Sequence, residues 1–286
     1  MVDDPSYTFD NVLPFYEKGT EFTPPNTYAR LANATTEYDT SVFSPSGGPV
    51  QVAYTNYVSS LSTLFKSAIQ KLGIPSIKGF NSGKLLGNSY CTSTLSPKDQ
   101  VRSTSTAYID SALKLSNLKV YTQTLAQKVL FDQNKKATGV QVSSLGISYT
   151  IHASKEVILS AGAFQSPQLL MVSGVGPSDA LNGLGIDVIS DLPGVGQNMW
   201  DHILFGPSYE VNIPTLSSVL KNPVNLAAAV LEYATNATGG LSSPVADFIG
   251  WEKLPAKYRA SFSPSTIADL AKFPSDWPEV EVSPLP

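Results

Sequence analysis

The chain has 286 residues and a formal net charge of −4, with 42% hydrophobic and 15% charged side chains. That length suffices for one large core or two smaller ones, and the composition excludes wholesale disorder. With 19 Lys+Arg against 23 Asp+Glu and no basic cluster, nucleic acid is not an expected partner, and no apolar run approaches the roughly 20 residues of a bilayer-crossing helix.

The start, Met1-Val-Asp-Asp4, is acidic and lacks an apolar core, so it reads as neither a signal nor a transit peptide. Ser6 ahead of Phe9–Glu17 predicts a short capped helix with Pro14 early in it or breaking it. Pro24-Pro25 and Ser44–Pro49 read as turns. Tyr57, Leu61, Leu64, Phe65, Ala68, Ile69 and Leu72 recur at spacings of three and four, which predicts a helix over Tyr54–Leu72, ended by Gly73 and Pro75. Lys78–Ser96 has no apolar period and reads as a long loop. A second helix is expected over Ser103–Ser116.

From Leu118 the period becomes alternating. Leu118–Tyr121, Gln127–Phe131, Ala137–Val142 and Tyr149–His152 predict a small antiparallel meander. Val157–Leu159 is continuously apolar and leads into Ser160-Ala-Gly-Ala163, the pattern of a buried strand ending beside a ligand. Ser166-Pro167 predicts a helix start, Leu181–Ile189 another short unit, and Asn225–Tyr233 the last helix.

Few residues can carry chemistry on their own. One cysteine, Cys91, excludes an intramolecular disulfide and a Cys-rich zinc site, and no His/Cys spacing suits a metal. The two histidines are His152, expected as a partly exposed strand residue, and His202, whose neighbour Asp201 is not thereby a side-chain partner. No G-x-S-x-G elbow occurs. Gly174-Val-Gly176, Gly183-Leu-Gly185 and Gly194-Val-Gly196 each fall short of the G-x-G-x-x-G phosphate cradle. Asn33-Ala-Thr35 and Asn236-Ala-Thr238 are glycosylation acceptor patterns and tilt the expectation toward secretion.

The most informative stretch is Glu156-Val-Ile-Leu-Ser-Ala-Gly-Ala-Phe-Gln-Ser-Pro-Gln-Leu-Leu-Met-Val-Ser-Gly-Val-Gly-Pro177, followed by Leu184-Gly-Ile-Asp-Val and Asp191–His202. It resembles the second signature of the glucose–methanol–choline (GMC) oxidoreductases, with Gly162, Ser166, Pro167, Ser173, Gly174 and Gly176 on its fixed positions. Arg102–Tyr108, Asn117-Leu-Lys-Val, Lys128–Asp132 and Ala137–Val140 agree in order and spacing. The chain is most similar to the fungal aryl-alcohol-oxidase and secondary-metabolite dehydrogenase branch.

The resemblance implies an α/β (mixed α+β) chain: an incomplete FAD-binding domain with a β-meander, plus part of a substrate domain built of antiparallel sheet and helices. Residues 1–100 and 206–286 would belong to the substrate domain and 101–205 to the FAD-binding domain. FAD is the implied cofactor. Ala126 matches the backbone position that pairs with adenine, and Ser160, Ala161, Gly162 and Ala163 match the small-residue wall against the adenosine. The implied partner is a small alcohol, with aromatic character hinted by Tyr7, Phe9, Phe80, Tyr90, Phe205, Trp251 and Trp277 as candidate lining groups. The family's G-x-G-x-x-G turn and its C-terminal histidine pair have no counterpart in this sequence, so no catalytic residue is assigned. The chain alone is expected to hold FAD weakly or not at all. The alternative is a non-catalytic remnant that binds a partner or small molecule.

Overall fold

The computed structural model describes residues 4–285; the first three residues of the acidic start, and Pro286, lie outside the described residues. The fold is mixed α/β, with small sheets and short helices. The chain forms two compact units, one of Met1–Ser116 with Glu210–Pro286, the other of Asn117–Tyr209. Among the described residues no helix is long and apolar enough to cross a membrane.

In the first unit, helix Phe9–Gly19 holds Pro14 within it, and its N-cap is Thr8, without a side-chain bond; Ser6 instead donates to Asp4. The helix runs into strand Thr20–Thr23, which pairs in parallel with Val50–Tyr54, itself antiparallel to Thr92–Ser93. A second sheet sets Phe248–Glu252 between Gly87–Tyr90 and Val280–Val282, all antiparallel. Helix Ser60–Lys71 packs on one face of this sheet. The two-residue alternation of the central strand explains why. Phe248 turns its ring toward Phe65 of the helix at 6.2 Å. Gly250 lies on the same face, where an added Cβ would come within 2.9 Å of Ile69 Cδ1, so the helix can approach only because the side chain is missing. Ile249 and Trp251 point the other way. Tyr54, Val58, Ile69, Ile74, Tyr90 and Phe248 form the core, with Phe22 and Phe65 against it.

Helices Leu216–Lys221 and Pro223–Asn236 follow, the first opened by a Thr215–Ser218 capping box, the second by Asn222 and Pro223. Neither buries a residue.

The second unit is built on the antiparallel meander Thr124–Phe131, Ala137–Ser144 and Ile147–His152. Asp132 Oδ1 accepts from the amides of Asn134 and Lys136 in the first turn, and Leu145-Gly146 make the second. Helix Gly162–Val172 packs on the first strand. Its C-terminal Ser173 Oγ donates to Leu169 O at 2.5 Å and accepts from Val129 N at 2.8 Å, joining helix to sheet through one buried hydroxyl. Val175–Gly176 pairs with Ser190–Asp191 around the short helix Ser178–Gly183.

Several sequence expectations are corrected. The helix predicted from Tyr54 begins at Ser60, because Tyr54 ends a paired strand and Ser59 supplies the cap. The helix expected over Ser103–Ser116 is confined to Thr106–Ala112. The loop expected over Lys78–Ser96 contains the buried strand Gly87–Tyr90; it lacks an apolar period because its polar side chains are bonded inside, Asn88 Nδ2 donating to Ile74 O and Ser89 Oγ to Tyr90 O. Leu118–Tyr121 is exposed coil, leaving three strands in the meander. Val157–Leu159 is likewise not a buried strand: no described residue takes its ladder bonds, and Ile158 is 75% exposed. The helix expected to begin at Ser166-Pro167 begins at Gly162, with Pro167 inside it.

Candidate functional site

On the face of the Gly87–Tyr90 and Phe248–Glu252 sheet that turns away from helix Ser60–Lys71, the first unit has a pocket of about 200 Å³. Its walls include Tyr38, Phe43, Tyr54, Phe80, Cys91 and Trp251. Strand alternation delivers Ile249 and Trp251, and the Lys78–Asn81 turn delivers Phe80, whose ring meets Trp251 at 4.4 Å and 40°. Trp251 is held by a bond from its Nε1 to Glu281 Oε2 on the neighbouring strand, 2.7 Å long. Phe43 stacks on Phe22 at 4.3 Å, fixing the opposite wall. Polar groups are few: Thr92, Asn81, the Asp39 carboxylate and the Lys78 ammonium. Aromatic walls with a small polar set are the usual materials of a small-molecule site, though this pocket is open to solvent and below the usual range of about 300–1,000 Å³.

Beneath the pocket lies a buried polar hub. The Asp247 carboxylate accepts from the Ser62 hydroxyl and, at 2.8 Å, from the Ser59 amide at the start of helix Ser60–Lys71. Its carbonyl accepts from Cys91 N at 3.0 Å, so one residue ties the helix to the pocket wall. Burial pushes the Asp247 carboxyl above the usual carboxylate range, opposed by its two donors and by the charge of Arg30. Arg30 is buried too. Its guanidinium donates to Ala34 O at 3.2 and 3.0 Å and to Thr55 O at 2.7 Å, and it sits 5.0 Å from the Tyr90 ring centre. Burial pushes the Tyr90 phenol up to about 12 and the Cys91 thiol also up to about 12. Both stay protonated at neutral pH, which removes Cys91 as a nucleophile.

In the second unit, Ala126 lies on an exposed part of the first meander strand, next to a bulge: Ala126 pairs with Val142 and Lys128 with Gln141, leaving Gln127 without an opposite residue. Ser160, Ala161, Gly162 and Ala163 are all exposed and open the Gly162–Val172 helix. Ala161 N donates to Ser166 Oγ at 2.9 Å. A Cβ added at Gly162 would find only Gln165 Oε1 within 4 Å, at 3.7 Å, so the space beside this turn is open. Small side chains, an open face and unpaired backbone suit the flat adenosine end of a dinucleotide. The described residues offer no glycine-rich turn of the G-x-G-x-x-G type for its pyrophosphate.

Of the candidate lining groups, Phe80, Tyr90 and Trp251 meet at the pocket. Tyr7 and Phe9 are exposed, Phe205 belongs to the other unit, and Trp277 stacks with Phe273. His152 is an exposed end-of-strand residue, and the contact between His202 and Asp201 is from the backbone amide. Tyr38, Phe43, Asp247 and Arg30 were not singled out by the sequence. Nothing in Val245-Ala-Asp-Phe248 or Tyr28-Ala-Arg30 separates a buried charge from a solvated one. Among the described residues no group of acids, histidines and cysteine is placed to hold a metal.

The family model for GMC oxidoreductases matches residues 9–204. The chain belongs to the GMC oxidoreductases. A glucose methanol choline oxidoreductase of Aspergillus terreus is 49% identical over 282 residues, covering 98% of this chain and 45% of its own. Patulin synthase of Aspergillus clavatus is 45% identical over 98% of this chain and 45% of its own, and versicolorin B synthase of Emericella nidulans 46% identical over 97% and 44%. Among solved structures, an FAD-dependent oxidoreductase from Chaetomium thermophilum superposes with a TM-score of 0.77 at 27% identity, over 95% of this chain and 47% of that one. A fungal aryl-alcohol oxidase shares the fold with a TM-score of 0.75 at 24% identity. This GMC chain thus spans a little under half the length of its curated relatives.

Proposed function

We propose that the chain is part of an FAD-dependent oxidoreductase that oxidises a small aromatic alcohol in fungal secondary metabolism. The observation that carries this reading is the aromatic-walled pocket of about 200 Å³ in a chain of this family. An enclosed apolar cavity of about 150 Å³ accommodates a benzene ring, so this open pocket has room for at least one substituted ring. The relatives patulin synthase and versicolorin B synthase support the metabolic setting by their names.

In this reading the unit of Asn117–Tyr209 would support the adenosine end of FAD, with the exposed backbone beside Ala126 and the small residues Ser160–Ala163 as the groups that would hold it. The other unit supplies the substrate pocket. Phe80 and Trp251, packed on one another, present one aromatic wall to the ring of the alcohol, and Thr92 and Asn81 offer hydrogen bonds to its substituents. The hydride acceptor is the flavin. Neither histidine lines the pocket, Cys91 and Tyr90 hold their protons too tightly to act as a base at neutral pH, and the Asp39 carboxylate is made a weaker base by the hydroxyl and amide of Ser41, so this polypeptide on its own is expected to bind alcohol without oxidising it. The same observation favours the second reading, a non-catalytic binding remnant.

Titration of the purified chain with FAD, followed by absorbance near 450 nm, and with 4-methoxybenzyl alcohol, followed by tryptophan fluorescence, tests both halves. Saturable alcohol binding with weak or no flavin retention is the expected outcome. Tight flavin at unit stoichiometry refutes the weak-binding expectation, and absence of alcohol binding refutes the pocket assignment. Sequencing the flanking DNA separates the readings: a strand–G-x-G-x-x-G–helix upstream and a histidine-bearing block downstream support the enzyme.

A further inference from the structure

The first unit holds a second pocket, of about 150 Å³, whose walls include Thr36, Glu37, Lys66, Ser76, Asn88 and Tyr90. Strand alternation explains its polar lining. Asn88 and Tyr90 stand opposite Gly250 and Phe248, so their side chains share the face that receives helix Ser60–Lys71. Tyr90 borders both pockets, but its ring belongs to this side, edge-on to Phe248 at 5.2 Å. On the helix, Lys66 and Gln70 lie one turn apart. Gln70 Nε2 donates to Ser76 Oγ, while Lys66 Nζ donates to Thr35 O at 3.0 Å and stands 5.0 Å from the Tyr90 ring centre.

The groups around this ring lack what burial normally demands. Tyr90 is 2% exposed, and its hydroxyl has no hydrogen-bond partner among the described residues, an arrangement that native interiors avoid. Arg30, also 5.0 Å from the ring centre, is bonded only to carbonyls. Neither Arg30 nor Lys66 forms an ion pair among the described residues. Asp247, whose charge reaches Arg30, is already bonded to Ser59 and Ser62. Glu37, the acid in the wall, is exposed and makes no ion pair with Lys66.

We propose that this second pocket binds a small carboxylate, whose oxygens accept from the Lys66 ammonium and the Tyr90 hydroxyl. Both groups are donors, and a phenol held up to about 12 keeps its proton at neutral pH. A cation is repelled by Lys66 and Arg30. A neutral amide could accept the same bonds but leaves the Lys66 charge uncompensated, whereas a carboxylate makes the stronger, charge-assisted kind. The Glu37 charge in the wall opposes a dianion such as phosphate more heavily than a monoanion. The site lies apart from the aromatic pocket and does not rest on the alcohol reading.

The test is titration of the nitrogen-15-labelled chain with sodium acetate at fixed ionic strength, followed by two-dimensional NMR. Saturable shifts of the Asn88 side-chain amide and of the Ser76 and Tyr90 backbone amides are expected, with acetamide and inorganic phosphate both binding more weakly. Lys66→Met, at a half-buried helix position, is expected to weaken acetate at least tenfold, and Tyr90→Phe severalfold. Without acetate, Tyr90→Phe is expected to melt no lower than the parent, because it removes a buried hydroxyl that has no partner; a clear fall in melting temperature shows the hydroxyl to be satisfied within the chain and overturns the proposal. So do shifts that never saturate, acetamide or phosphate binding as tightly as acetate, undiminished affinity in Lys66→Met, or shifts that map to Phe80 and Trp251 instead.

Discussion

The amide of Val129 donates to the hydroxyl of Ser173 across 2.8 Å, and that bond joins the first meander strand to the helix behind it. Both residues are buried. Ser173→Ala leaves the Val129 amide without an acceptor, at a cost of about 1–3 kcal/mol. Urea unfolding should show that loss, and hydrogen exchange at Val129 should quicken more than at Val140 on the neighbouring strand.

Gly174 follows directly, at φ +87°, and a Cβ there would meet Asp187 O at 2.4 Å. Gly174→Ala should therefore destabilise the second unit by about 2–4 kcal/mol, combining left-handed backbone strain with displacement of a neighbouring chain. Gly183, in the Ser178–Gly183 helix with nothing within 4 Å of its absent Cβ, provides the contrast. Gly183→Ala should be neutral or stabilise by up to about 1 kcal/mol. Thermal melts of the two variants should move in opposite directions or differ plainly in size.

Asp247 makes the first unit pH-dependent. Its folded-state pKa lies above the unfolded value of 3.8, so in the window between the two the folded state binds more protons. Stability is full below the unfolded pKa and declines as pH rises through the folded one. Asp247→Asn should flatten that part of the stability profile. Asp247→Ala, which strands the Ser59 amide and the Ser62 hydroxyl, should cost about 2–5 kcal/mol. A denaturation series from pH 4 upward checks both.

Cys91 lies half-buried in the pocket wall, its thiol pushed up to about 12. At pH 8 it carries about a thousandfold less thiolate than an ordinary cysteine. Alkylation by iodoacetamide should be slow by two to three orders of magnitude until the chain is unfolded, and 4-methoxybenzyl alcohol should slow it further.

Trp251→Leu removes the ring that faces Phe80 and the bond to Glu281. Affinity for 4-methoxybenzyl alcohol should fall roughly tenfold, in keeping with an aromatic contact of about 0.5–1.5 kcal/mol plus lost burial. Trp277→Phe, outside the pocket, should leave it unchanged; isothermal calorimetry distinguishes them.

The sequence displayed the helices and hairpins whose stability is local. The apolar period from Leu61 to Ile69 and the helix expected over Asn225–Tyr233 both fall within helices, although the second starts earlier, at Pro223. It failed where order comes from distant partners. Gly87–Tyr90 becomes a strand because Phe248–Trp251 arrives from far along the chain to pair with it, and Val157–Leu159 stays unpaired despite an ideal strand composition. The small-residue turn at Ser160–Ala163 was visible as a motif. The aromatic pocket was visible only in part, since Tyr38 and Phe43 lie in segments with no period at all.

The unit of Asn117–Tyr209 is one uninterrupted stretch, while the other is assembled from chain on both sides of it. On a ribosome the inserted unit can therefore close first, through neighbouring hairpins. The surrounding unit must hold Gly87–Tyr90 and helix Ser60–Lys71 in waiting until Asp247 and the strand Phe248–Glu252 have emerged. Their partners are separated by well over a hundred residues, a slow, non-local closure. During synthesis the exposed interval falls on the outer unit, and translation pauses between residues 210 and 247 would lengthen it.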